Sequence, residues 1–160
     1  SYTEFRKTTL MLLQPFRYYS LEPEPGVFVE SRIELMIYYS LLKTRERLGK
    51  ADFHFTYEEM PSINGATVPI KTDFTIYSNG KIFYWEHLGR LSDKDYTRKW
   101  KEIKLPTYEK FGLTEQLITT DELNGIDPNK IDEVIEHIVA DKVSSNDKLN
   151  RYSNHHYSLR

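Results

Sequence analysis

The chain is predicted to fold as an α/β domain, and three observations predict it. Apolar residues recur at helical spacing on either side of a β-rich block, an Asn-Gly turn divides that block, and a short apolar strand and a helix close the order. From Ser31 to about Leu48, Ile33, Ile37, Leu41 and Leu48 recur at helical spacing with Met36 and Tyr38 beside them, and Ser31 with Glu34 reads as a capping box. Gly49 ends this first helix. Residues 54–58, 68–77 and 82–88 read as three strands of an antiparallel meander, with Ser78-Asn79-Gly80 as the turn before the third. Helical spacing returns from Asp93 to about Phe111 through Tyr96, Trp100, Ile103 and Tyr108, and Pro106 must kink or split that helix. Residues 116–119 read as a short buried strand. Pro128 opens a last helix carrying Ile131, Val134, Ile135 and Ile138. The expected architecture is a helix, a three-stranded meander, a helix, a strand and a helix, in a mixed central sheet flanked by helices.

With 160 residues the chain has the length of one domain. Residues 1–27 read as an N-terminal extension, with a short apolar run from Leu10 to Leu13 and a linker, Leu21-Glu-Pro-Glu-Pro-Gly26, whose prolines and glycine break regular structure. Residues 28–143 read as the folded domain and 144–160 as a polar tail. An apolar share of 39% with 12 Tyr and 8 Phe supplies enough bulk for a core. Lys and Arg number 22 against 24 Asp and Glu, so any cationic surface must be local. The absence of cysteine rules out disulfides and thiolate metal sites and leaves oxygen and imidazole ligands. No apolar run approaches the roughly 20 residues of a membrane span, so no membrane partner is expected and the cytoplasm is the expected compartment.

The informative residues are Asp73, in Ile-Lys-Thr-Asp-Phe, and Glu86, in Tyr-Trp-Glu-His-Leu-Gly. Carboxylates set among apolar and aromatic residues are costly unless something pairs with them, and a divalent cation would do so. A hairpin turning near Asn79 pairs positions summing to about 158 or 159, which sets Asp73 opposite Trp85 or Glu86. Opposed residues approach within roughly 5 Å at Cβ, close enough to share one ion. Glu34 on the first helix can lean over the same sheet as a third carboxylate. Three oxygen ligands suit Mg²⁺, with Mn²⁺ as substitute, and leave coordination positions for water and phosphate.

Taken in order, Ser-Arg-Ile-Glu34, Thr-Asp73-Phe and Trp-Glu86-His-Leu-Gly resemble the PD-(D/E)XK nuclease superfamily, and most of all nuclease-fold domains that accompany superfamily-one DNA helicases. The resemblance covers about residues 28 to 122. It implies a restriction-endonuclease-like core and a metal-dependent deoxyribonuclease in which Asp73 and Glu86 hold the metal and Glu34 is the helix-borne acid. DNA is the implied partner, with RNA left open, and a helicase or another domain of a larger protein the implied neighbour. Tyr57-Glu58 resembles a pair found in that group and has no assigned role. Thr72 stands where the pattern has proline. Leu88 stands where it has lysine, and Lys104, in Trp-Lys-Glu-Ile-Lys104, is the candidate to replace it. His87 is the reserve, should Gly89 mark a bulge that turns it inward.

Plainer readings compete. Asp73 and Glu86 pair with Lys71, Lys81 or Arg90 in a structural reading, and Glu34 is needed by the helix cap in any case. Lys104 is equally well a solvated helix lysine. Trp85 and Trp100 read as core, and His155 and His156 as tail residues without function. Arg98, Lys99, Lys101, Lys104 and Lys110 give one helix a cationic side suited to phosphates. The alternative function is a nuclease fold that has lost its chemistry and only grips nucleic acid.

Overall fold

A computed structural model of the chain describes residues 21–123 and 127–140. The apolar run at Leu10, the tail from Ser144 and the His155-His156 pair lie outside the described residues. Helix α1 (Arg32–Leu48) begins at the N-cap Ser31, whose hydroxyl accepts the Glu34 N–H, and ends at Gly49 with φ of 89°, a left-handed region that favours glycine. Strand β1 (Phe53–Glu59) follows, then a small hairpin of β2 (Ser62–Ile63) and β3 (Ala66–Thr67), then β4 (Thr72–Ser78) and β5 (Lys81–Leu88). The hairpin went unanticipated, and the expected strand over 68–77 starts only at Thr72. Its signal is Asn64-Gly65, with φ of 50° and 80°, the same positive-φ pair that Asn79 and Gly80 use between β4 and β5.

Helix α2 (Lys94–Lys99) runs into a π-helical turn, Trp100–Lys104, and on into α3 (Leu105–Lys110). In that turn the Leu105 N–H reaches the Trp100 carbonyl, five residues back. Pro106 has no N–H to give, and the wider turn absorbs it where a regular helix would break. The register shift also corrects the expected apolar face, since Ile103 is 56% exposed while Tyr108 is fully buried. Strand β6 (Leu117–Asp121) and helix α4 (Pro128–Val139) complete the described chain.

The main sheet has the order β1-β4-β5-β6, antiparallel except for the parallel β5–β6 pair. It is therefore the expected mixed sheet. On one face Ile33, Ile37 and Leu41 of α1 and Ile131, Val134 and Ile135 of α4 pack on Phe55, Phe74, Ile76 and Trp85. On the other, Tyr108 of α3 packs with Tyr84, Val68, Ile70 and Leu113. Because both faces are covered, β5 is buried continuously from Phe83 to Leu88 instead of alternating. No helix among the described residues is long and apolar enough to cross a membrane.

The stretch read as a linker is fastened to this body. Leu21 and Val27 pack against the α1 core, and Glu24 accepts hydrogen bonds from Tyr38 Oη at 2.6 Å and Arg45 at 2.8 Å. Proline and glycine exclude regular structure there, but they do not prevent packing.

Candidate active site

The register builds the site. Phe74 faces Trp85 across β4 and β5, so Asp73 and Glu86, one step further on, stand opposite each other. Tyr57 faces Phe74 and Glu59 faces Thr72 across β1 and β4, which sets Glu58 opposite Asp73. Three acidic residues thus form a row across three strands. Asp73 and Glu86 lie on the sheet face that α3 covers, because side chains alternate along a strand and Phe74 and Trp85 take the other face.

Glu86 is 1% exposed. A buried carboxylate must be paired, and both of its oxygens are. Oε2 accepts from the Lys104 ammonium at 2.7 Å and Oε1 from the Tyr108 hydroxyl at 2.6 Å. Tyr108 has one hydrogen and gives it to Glu86, so the fully buried Thr72 hydroxyl, 3.0 Å away, is the donor to Tyr108. Thr72 therefore steadies the residue that holds Glu86. Burial and the Glu86 charge raise the Tyr108 hydroxyl well above its ordinary range.

Asp73 accepts the His87 backbone N–H at 2.7 Å on Oδ2, while Oδ1 lies 3.7 Å from Lys104 Nζ. Burial and the neighbouring Glu86 charge push its pKa up to about 7, against the opposing pull of Lys104 and the His87 N–H. Burial works against the Lys104 charge, but Glu86 and Asp73 outweigh it and the ammonium is held above its ordinary range. One ammonium does not neutralise two carboxylates, one buried and one half-buried. Trp100, Lys104 and Tyr108 are spaced by four residues, a step that overshoots a full α-helical turn by about 40°. The wider π turn reduces that overshoot, and Lys104 meets the same carboxylate as Tyr108.

The other predicted residues surround these. Glu34 lines the same cleft, but its carboxylate is engaged: Oε1 takes the Ser31 hydroxyl at 3.1 Å, and Oε2 takes the Tyr57 hydroxyl and the Glu30 N–H. The capping role and the cleft-facing role coincide in one residue. His87 stays in register with Thr120, and Leu88 with Asp121, so no bulge turns the strand. The His87 ring nitrogens lie 3.0 Å from Thr120 Oγ1 and 3.1 Å from Glu122 Oε1, so the ring is directed at Thr120 and Glu122. His87 serves the site through its backbone. A Cβ on Gly89 would fit only tightly, 3.2 Å from Glu122 Oε1 and 3.3 Å from the His87 ring.

The cleft encloses about 500 Å³ and is lined by Glu30, Glu34, Glu58, Asp73, Tyr96 and Lys104, among others. Glu58 holds a positive φ of 51°, a conformation that costs a side-chain-bearing residue about 1–2 kcal/mol. Burial and the Glu30 charge raise its carboxyl pKa, with Lys71 opposing. Thr72, Tyr57 and Glu58 are the residues whose part in the site was not foreseen, and Tyr108 was foreseen only as packing. Three of them carry a signal of adjacency: Thr72 stands next to Asp73, Glu58 opposite it and Tyr108 four residues from Lys104, while Tyr57 reaches Glu34 only through the fold.

Among the described residues no three His, Asp or Glu side chains converge as a ligand set. Lys104 lies between Asp73 and Glu86, and Glu34 is held by Ser31 and Tyr57. The donor chemistry nevertheless suits a hard cation: carboxylate oxygens of Asp73 and Glu86 from adjacent strands are directed at one positive charge. No family model, curated protein or solved structure matches the chain.

Proposed function

We propose that this cleft hydrolyses phosphodiester bonds in nucleic acid, DNA before RNA, with Mg²⁺ or Mn²⁺ held by Asp73 and Glu86. One observation carries the reading: the Lys104 ammonium lies 2.7 Å from Glu86 and 3.7 Å from Asp73 at the floor of an open cleft. An acid pair with an adjacent lysine is the minimum such chemistry needs, two oxygen ligands and a fixed positive charge for the phosphoryl oxygens. A bound divalent cation supplies further polarisation of the phosphate and of the attacking water. Tyr108 and the His87 N–H orient the two carboxylates, and Glu34 assists from α1. Asp73 and Glu86 would hold the cation, and the Lys104 ammonium beside them would then face the phosphoryl oxygens. The element order supports a restriction-endonuclease-like reading of the fold. The sequence resemblance extends the proposal to a partner helicase or larger DNA-processing protein in the cytoplasm.

A second reading, a fold of this kind that grips nucleic acid without cutting it, rests on the buried Leu88 where the motif has lysine. One experiment separates the two. Linear, circular and single-stranded DNA are incubated with Mg²⁺, Mn²⁺ or EDTA. Cleavage is expected with either metal and not with EDTA. Asp73→Ala and Glu86→Ala should abolish it in folded protein, and Lys104→Ala should slow turnover by about 10²–10³-fold. Metal-dependent binding without products would favour the second reading, and wild-type rates in the folded variants would overturn the site.

A further inference from the structure

Every polar atom of the buried His87 is engaged, and its partners come from β4, β6, α2 and the residue that follows β6. Its N–H donates to Asp73 Oδ2 at 2.7 Å, and its carbonyl accepts the Gly89 N–H at 3.0 Å and the Tyr96 hydroxyl at 3.3 Å. The N–H goes to a side chain because the β4–β5 ladder stops short of it. The last pair is Phe74 with Trp85, and one more ladder step would have given this N–H to the backbone of Thr72. On its other side His87 stays paired with Thr120 of β6. Residue 87 is thus anchored by β6 and offers its free backbone donor to Asp73.

The ring strengthens that anchor. A carboxylate only accepts, so Nε2 carries the hydrogen that lies between the ring and Glu122 Oε1, 3.1 Å away. Thr120 Oγ1, which faces Nδ1 at 3.0 Å, is itself fixed by the Trp85 indole N–H at 2.9 Å. The absence of a side chain at Gly89 keeps the contact between ring and carboxylate uncrowded. Of the two ring partners Glu122 is the one that lines the cleft, and its side chain is 38% exposed against 4% for His87. A ring held at both nitrogens keeps one rotamer, and the peptide that carries the N–H is held with it. Groups that orient a ligating carboxylate in this way govern metal affinity without touching the metal.

We propose that Glu122 is a positioning residue of the cleft: by holding the His87 ring at Nε2 it fixes the peptide N–H that orients Asp73. Its effect on cation binding rests on the metal-dependent reading of the same cleft, while the hydrogen-bonded chain is tested without metal. Two conservative variants of the full chain separate reach from charge. Glu122→Gln keeps an oxygen acceptor at the same reach and loses the charge. Glu122→Asp keeps the charge and draws it back by one methylene.

NMR of the ¹⁵N-labelled proteins in EDTA reads the two His87 protons, and calorimetry reads Mn²⁺ affinity. In the wild type and in Glu122→Gln the ring Nε2–H should be visible through slow exchange with water. The peptide N–H should lie downfield in both, as a short bond to a carboxylate places it. In Glu122→Asp the ring proton should be lost to exchange and the peptide proton should move upfield. Mn²⁺ affinity should fall about tenfold in Glu122→Asp and stay within about twofold in Glu122→Gln. An unmoved peptide proton in Glu122→Asp would overturn the proposal. So would Mn²⁺ binding that Gln weakens and Asp preserves, since Glu122 would then act by its charge. The two readings fail separately. The expected proton shifts with no Mn²⁺ binding by any of the three proteins support the positioning of Asp73 and sink the metal-dependent reading alone. Mn²⁺-dependent cleavage with equal rates and affinities in all three sinks the role of Glu122 alone.

Discussion

At Asp73 the cost of the site is concentrated in one ionisation. Its folded pKa of about 7 lies above the ordinary 3.8, so between about pH 4 and 7 the folded state binds more protons than the unfolded one. Stability contributed by the protonated acid is present below pH 4 and is lost as pH rises through 7. Asp73→Asn removes that titration at nearly constant shape. In EDTA the variant should melt above the wild type at pH 8 and together with it at pH 4. Mn²⁺ should reverse the order at pH 8, because an ion bound only by the folded wild type stabilises it by about 2.7 kcal/mol at a hundredfold excess over its Kd. Equal metal-induced shifts by calorimetry in both proteins would remove Asp73 from the ligand set.

The elements that carry the site do so at their ends. Helix α1 starts at the cleft, where Ser31 and Glu34 exchange hydrogen bonds and Tyr57 of β1 joins them. Ser31→Ala should cost about 1 kcal/mol, read as a lower urea midpoint at unchanged slope, and leave Mn²⁺ affinity as it was. Glu34→Gln keeps an acceptor for Tyr57 and the Glu30 N–H but loses the charge. It should hold stability and weaken Mn²⁺ binding. If both variants behave alike, Glu34 is a cap and nothing more. The π turn between α2 and α3 belongs to the same scale. It is tied to Pro106, and it brings Lys104 rather than Ile103 to the sheet.

Over the whole molecule, the cleft lies where β4 begins and β5 and β6 end, between the helices of the two sheet faces. The segment before α1 closes the body on the α1 side through Glu24. Its carboxyl pKa is lowered by the Tyr38 hydrogen bond, with Arg45 assisting and burial opposing. That contribution is present above the ordinary 4.5 and is lost as pH falls below it. Glu24→Ala leaves the buried Tyr38 hydroxyl without its acceptor and should cost about 1–3 kcal/mol by denaturant unfolding at pH 7. At pH 3 the difference should shrink. An unchanged midpoint at pH 7 would make the segment the simple linker its composition suggests.

Periodicity and turn chemistry were enough to place the helices and the β4–β5 hairpin and to narrow the residue facing Asp73 to Trp85 or Glu86, because these depend on contacts between near neighbours in the chain. The row extended by Glu58, the Thr72–Tyr108–Glu86 chain and the engagement of both His87 nitrogens were decided only in the tertiary structure. Each joins segments 15 or more positions apart, whose meeting no local pattern encodes. Lys104 lies between the two cases. Its chemistry and its spacing from Tyr108 are legible in the residues, but a solvated lysine has the same pattern. Its position between the Asp73 and Glu86 carboxylates follows from a π turn that Pro106 hints at and only the packing of α3 on the sheet selects.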